Sequence, residues 1–151
     1  RTRDEHTLLG HLGPDLLADG LTVDVDLVRE HLLGDEPQTP VAEALLDQTR
    51  LAGIGTIYAS ESLFVARVHP WEPLANIPEE QLALVLSTAR DLMLRAVAEG
   101  LGTRARLVHA RVGRPCVRCG TAVTVRQARR PPFERPIFFC PRCQRGQDGW
   151  A

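Results

Sequence analysis

Four cysteines stand toward the C-terminal end of the chain as two CxxC pairs, Cys116 with Cys119 and Cys140 with Cys143, twenty residues apart. Each CxxC turn presents two thiolates, and strands between the turns can return the second pair to the first, so that four soft ligands converge on one tetrahedral cation. The spacing calls for one structural zinc ion. Disulfides and redox centres are the other uses of paired cysteines. The sequence contains no apolar, cleavable leader that would suggest an oxidising compartment, and a redox CxxC stands singly at the start of a helix beside a strand. Between and around the pairs lie Arg118, Arg126, Arg129, Arg130, Arg135, Arg142 and Arg145. A small zinc ribbon studded with arginine points toward nucleic acid, although such ribbons also serve protein contacts and folding stability.

Charge sharpens that reading. The net charge of −1 over 151 residues conceals a division. Residues 1–100 carry 7 Arg against 17 acids, a balance of −10, and residues 101–151 carry 11 Arg against 2 acids, a balance of +9. An acidic body joined to a basic tail fits a phosphate-binding module on a helical support. No apolar run approaches a membrane span, so a soluble, cytoplasmic protein of one or two small domains is expected. All 18 basic residues are arginine. Covalent amine catalysis needs a primary or secondary amine, and without lysine only the α-amine of Arg1 is left. Arg1 opens into RTRDEHTLLGHLGPDLL, which reads as the tail of a preceding domain.

Residues 1–21, with Gly10, Gly13, Pro14 and Gly20, read as linker. Val25, Leu27, Val28, Leu32 and Leu33 predict a short helix ending at Gly34. Thr39 and Pro40 supply an N-cap and a first-turn proline for a second helix, running to about Leu46 or Asp47. A third is expected from near Thr56 to about Val65. The longest begins at Pro78 and sets Leu82, Val85, Leu86, Leu92, Met93 and Val97 on one stripe before Gly100. Beyond Gly100 the pattern alternates: Thr121, Val123 and Val125, then a proline loop, then Ile137, Phe138 and Phe139 predict a two-stranded hairpin closed by the cysteine turns. The expected architecture is mainly α, a four-helix domain over 22–100 followed by a small zinc-bound β-hairpin over 101–151.

In LLDQTRLAGIGTIYASESLF, Gly53 and Gly55 stand two apart directly before the third helix. Glycine permits a tight turn and close approach of another chain, and the free amides of a helix N-terminus attract an anion. The same glycines could instead end one helix and let the next pack closely. Beside an arginine-bearing ribbon the phosphate reading gains weight, because both elements offer donors to a phosphate backbone.

LLDQTRLAGIGTIYASESLFVARVHP resembles the helix-two-turn-helix motif of the formamidopyrimidine-DNA glycosylase and endonuclease VIII family, and VHARVGRPCVRCG with ERPIFFCPRCQ resembles its zinc finger. LGPDLL looks like the family's interdomain connection. The resemblance covers most of the chain, with both motifs in the family order. It implies a base-excision repair protein gripping damaged duplex DNA, and places phosphate contacts at Gly55, Thr56 and the amide of Ile57. The family usually has asparagine where this chain has Thr56, whose hydroxyl reaches less far. The family's finger carries an arginine five residues before its third cysteine, and Arg135 fits that position, its planar fork suiting a phosphate.

The family's chemistry is an N-terminal proline amine attacking the sugar C1′, assisted by the following glutamate; Arg1 and Thr2 do not match that pair. The resemblance therefore implies the DNA-binding C-terminal portion of a glycosylase and AP lyase, expected to be inactive alone and to act as a monomer with a missing N-terminal catalytic domain. The connection GLGTRARLV, between Glu99 and His109, is short beside the lid of family members that favour oxidised purines, which leans the reading to oxidised pyrimidines. The alternative function is a non-catalytic zinc-ribbon module binding nucleic acid or protein. Asp47 and Glu61 are expected to cap or hydrogen-bond internally, because acids repel phosphate. His69 is expected to end a helix and pack, Trp71 and Trp150 to pack as isolated aromatics, and Arg126, Arg129 and Arg130 either to touch DNA non-specifically or to remain solvated.

Overall fold

The computed structural model describes residues 38–46, 55–99, 106–128 and 134–145. Within them lie three α-helices, α1 (Val41–Leu46), α2 (Thr56–Val65) and α3 (Glu79–Glu99), a 3-10 turn at Leu74–Asn76, and an antiparallel hairpin of β1 (Thr124–Ala128) and β2 (Arg135–Phe139). The helix expected over 25–33, the linker, Asp47, Gly53, Arg129, Arg130 and Trp150 lie outside the described residues, so the expected count of four helices becomes three among those described.

The entry to α1 differs from the expected cap. The Pro40 carbonyl accepts the Ala44 amide at 3.1 Å, which makes Pro40 the residue before the helix. The first-turn amides are satisfied from a distance: Val41 donates to the Glu72 carbonyl and Ala42 to the Pro70 carbonyl, both at 2.9 Å. Segment 69–74 therefore caps α1 with backbone, and Pro40 bridges Pro73.

Helix α2 is buried on all sides from Ala59 to Phe64, which requires neighbours on every face. Helices α1 and α3 cover one side and β2 the other. It ends in a Schellman turn, with Val68 donating to Leu63 at 3.0 Å and Arg67 to Phe64 at 3.1 Å. Arg67 takes the left-handed position (φ 60°), usually glycine's, and places a cation at the negative end of the helix dipole. Among the α3 side chains described, Leu82, Val85, Leu86, Ala89 and Met93 are buried, a 3.6-residue stripe in which Ala89 stands where Leu92 was expected; the Val97 side chain lies outside those described. Leu92 is half-buried.

The hairpin begins three residues later than the alternation suggested, because Ala122 forms an isolated bridge with Pro115 and Val123 turns into a core. The main core joins the three helices and takes in Ala128 and Ile137 from the strands. A second core gathers Phe64 of α2 with Val108, Val123, Cys116 and Cys140. Both cores cross between helices and hairpin. No described helix is long and apolar enough to cross a membrane.

Candidate metal centre and nucleic-acid interface

The four cysteine Sγ atoms lie within 4.8 Å of one another. Cys116 and Cys143 approach to 3.8 Å and Cys119 and Cys140 to 3.5 Å, far beyond a disulfide bond. A tetrahedron of thiolates each about 2.3 Å from a cation has edges of about 3.8 Å, so the cluster fits a single four-coordinate metal ion. The turns themselves build the site. Cys116 Sγ accepts the Arg118 amide and Cys140 Sγ accepts the Cys143 amide, each at 3.4 Å. Gly120 takes φ +80°, which side-chain-bearing residues adopt at a cost, and donates to the Cys116 carbonyl at 2.8 Å. The hydroxyl and amide of Thr121 lower the Cys119 thiol to about 6, whereas burial pushes Cys140 up to about 12. All four must ionise to bind a cation.

Three contacts fasten this cluster to the helices. Gln144, fully buried, accepts the Cys140 amide through Oε1 at 2.8 Å and donates from Nε2 to the Val68 carbonyl at 3.0 Å. The Arg118 guanidinium lies 3.7 Å from the Phe64 ring centroid and donates to the Phe64 carbonyl. The Glu61 carboxylate, only 3% exposed, accepts the amides of Leu107, Val108 and His109 at 2.8, 2.8 and 3.0 Å. This is the internal hydrogen bonding expected of Glu61. His69 also packs as expected, 1% exposed and edge-on to Phe139, with Nδ1 accepting the Trp71 amide at 3.0 Å.

The residues singled out for phosphate contact fall on two elements. Gly55 precedes α2 with φ −109° and ψ −176° and no side-chain cap. Any residue adopts that backbone, and a Cβ there would meet nothing within 4 Å among the described residues. Gly53, the other glycine of the expected turn, lies outside the described residues; Gly55 itself puts no side chain before the first-turn amides of α2, which have no intrahelical partner. Thr56 and Ile57 are half-buried in that first turn. Arg135 opens β2, exposed, paired in register with Ala128, with Nη1 donating to the Glu134 carbonyl at 3.0 Å. Ser60 Oγ accepts the Phe138 amide at 3.1 Å, so α2 and β2 are joined five residues after Gly55 and three after Arg135. Helical and strand rises set each candidate within about 10 Å of that bond along its own element.

Ser60, Gln144 and Arg118 were not distinguished by sequence reasoning, and no spacing could distinguish them, since their partners lie 54–78 residues away. Trp71 packs as expected, half-buried on the main core, but it is not isolated: it lies 6.1 Å from the Phe139 ring and is covered by Arg126 at 4.6 Å.

Residues 12–106 match the formamidopyrimidine-DNA glycosylase H2TH domain. The "Probable endonuclease 8 2" of Streptomyces coelicolor is 41% identical over 152 residues, covering 97% of this chain and 54% of that protein. The formamidopyrimidine-DNA glycosylase of Chloroflexus aggregans is 36% identical over 147 residues, covering 87% of this chain and 50% of its own length. Among solved structures, the MutM (Fpg) protein of Thermus thermophilus superposes with a TM-score of 0.74 at 31% identity, over 93% of this chain and 56% of that one. The Lactococcus lactis enzyme non-covalently bound to DNA containing an AP site gives 0.77 at 26% identity, over 94% and 53%. The chain spans about half the length of the curated relatives it matches. With the helix-two-turn-helix segment matched over most of its length and the four cysteines gathered in one cluster behind it, this chain belongs to the formamidopyrimidine-DNA glycosylase and endonuclease VIII family and corresponds to the C-terminal part of its members.

Proposed function

We propose that this chain holds damaged duplex DNA for a base-excision repair glycosylase and AP lyase, through Gly55, Thr56 and the Ile57 amide on one side and Arg135 on the other. The observation that carries this reading is the double use of α2. Its N-terminus, which carries no side-chain cap, presents amides and the positive end of the helix dipole, and its buried middle holds the hairpin that bears Arg135. One rigid helix thereby sets the separation of two phosphate contacts. The basic balance of residues 101–151 adds the electrostatic attraction that any duplex-binding surface needs.

Zinc is the metal this reading assigns to Cys116, Cys119, Cys140 and Cys143, because four thiolates suit a borderline-soft d10 ion with no preferred geometry of its own. Its part is structural, holding the two turns and hence the strand that carries Arg135. The amine chemistry of the family is assigned to no side chain here: the chain has no lysine, and its 18 arginine guanidinium groups are too basic to act as nucleophiles. Binding to a duplex with an abasic-site analogue, together with borohydride trapping on abasic DNA, tests the division. Duplex binding without a covalent adduct is expected; negligible affinity even at low salt would overturn the DNA reading, and an adduct would overturn the assignment of chemistry elsewhere.

The substrate class proposed is oxidised pyrimidines. Glu61 pins Leu107 and Val108, which leaves only residues 100–106 between α3 and that anchor for any lid over a flipped base. Base release from duplexes bearing oxidised pyrimidines or oxidised purines, compared for a whole glycosylase containing this segment, decides it; faster purine release would reject it.

A further inference from the structure

Arg126 stands in the middle of β1 opposite Ile137, and Arg135 opens β2 opposite Ala128. Cross-strand partners share a face, as do residues two apart along a strand, so Arg126 and Arg135 are diagonal neighbours on one face, about 7–8 Å apart at Cα. Ala128 and Ile137, the other two corners of that square, are fully buried in the main core. The two arginines are exposed. Both therefore emerge at the rim where the hairpin meets the helices.

Arg126 is braced there. Its guanidinium lies 4.6 Å from the centroid of Trp71, which packs on the main core from segment 69–74. Stacking engages the face of the guanidinium and leaves its in-plane N–H donors for an acceptor. Arg118 makes the same kind of stack on Phe64 but also donates to the Phe64 carbonyl, which closes it inward. Among the described residues no acceptor bonds to Arg126.

We propose that Arg126, held on Trp71, is a second phosphate-binding arginine, engaging the same duplex backbone as Arg135. The proposal rests on the DNA-binding reading of Arg135. The chemistry is that of a planar fork of donors presented at fixed height, its bearing set by an aromatic surface, next to another such fork. Phosphate oxygens match it in charge and geometry. Trp71 is then a positioning residue that acts only through Arg126.

The test is a fluorescence-anisotropy titration of the full chain against a short duplex carrying an abasic-site analogue, repeated at stepped salt concentrations. Arg126→Ala is expected to weaken binding about 5- to 10-fold and to make the slope of log affinity against log salt shallower by about one. Arg126→Lys is expected to retain the slope while losing part of the affinity. Trp71→Leu should weaken binding in the parent background and not in Arg126→Ala. Unchanged affinity and slope in Arg126→Ala, while Arg135→Ala weakens binding, would overturn this proposal and leave the DNA reading intact. If neither variant changes binding, both fall together. A lower melting temperature with an unchanged salt slope would mark Arg126 as a structural cover for Trp71, which also overturns the proposal.

Discussion

The Glu61 carboxylate in the middle of α2 accepts the amide of Val108, forty-seven residues further on, at 2.8 Å in a fully buried setting. With Leu107 and His109 it satisfies three consecutive backbone donors that no strand or helix serves. Glu61→Gln turns an amide N–H toward those donors and removes the charge assistance. A loss of about 2 to 3 kcal/mol in urea denaturation is expected. A loss below 0.5 kcal/mol, on the order of a surface substitution, would show that the carboxylate is not needed.

Gln144 couples the cation site to the end of α2. Gln144→Leu leaves both the Cys140 amide and the Val68 carbonyl unpaired in a buried place. Outer contacts of this kind tune metal affinity by about 10- to 100-fold, and a fall of about 10-fold in Zn2+ affinity is expected in competition with a chromophoric chelator.

Metal removal should reach both ends of the chain's proposed clamp. Cys116 and Cys140 are members of the second core with Phe64 and Val108, so stripping the cation frees thiols inside that core. Native mass spectrometry is expected to find one zinc per chain, and chelation to lower both the melting temperature and duplex affinity. Because every thiol must lose its proton and burial raises Cys140 to about 12, zinc affinity is expected to fall as pH falls. A chelated chain that keeps its melting temperature would contradict this account.

Arg135 is exposed, so its removal should affect binding and leave stability alone. Arg135→Ala is expected to weaken duplex binding by about 1 to 3 kcal/mol with an unchanged melting temperature. Thr56→Asn, which restores the family's usual residue before the Ile57 amide, is expected to strengthen binding in the same titration.

His109 supplies a pH dependence of its own. Burial, the largest influence, lowers its pKa below the ordinary 6.5; Glu61 opposes this and Arg106 adds to it. The unfolded chain then binds the proton more readily than the folded one, so the stability present above pH 6.5 is lost as pH falls through that value toward the folded pKa. His109→Phe keeps the edge-on contact with Phe138 and removes the titration. Its stability should decline less than the parent's between neutral and mildly acid pH; identical slopes would exclude His109 as the source.

The elements legible in the sequence were those written in short-range pattern. The 3.6-residue stripe of α3 predicted Leu82, Val85, Leu86 and Met93 as core, and the structure buries all four. The limits of α2 coincide with the expected ones because Gly55 precedes a helix-forming run and the Schellman turn closes it. The two CxxC pairs announced their own convergence. Two details escaped: the backbone cap on α1 and the late start of β1. The first depends on segment 69–74 reaching α1, and the second on Ala122 bridging back to Pro115.

What the sequence by itself determined is therefore the parts: four thiols at metal-binding spacing, a glycine before a helix, and an arginine five residues before Cys140. The tertiary structure alone decided how they are joined. Glu61 had to find donors once buried, but that they are the amides of Leu107, Val108 and His109 follows from the path of the chain. Trp71 had to cover apolar surface, yet its pairing with Arg126 exists only because β1 lies across it. Hydrogen-bonding capacity and hydrophobicity are properties of a residue; the partner that satisfies them is a property of the fold.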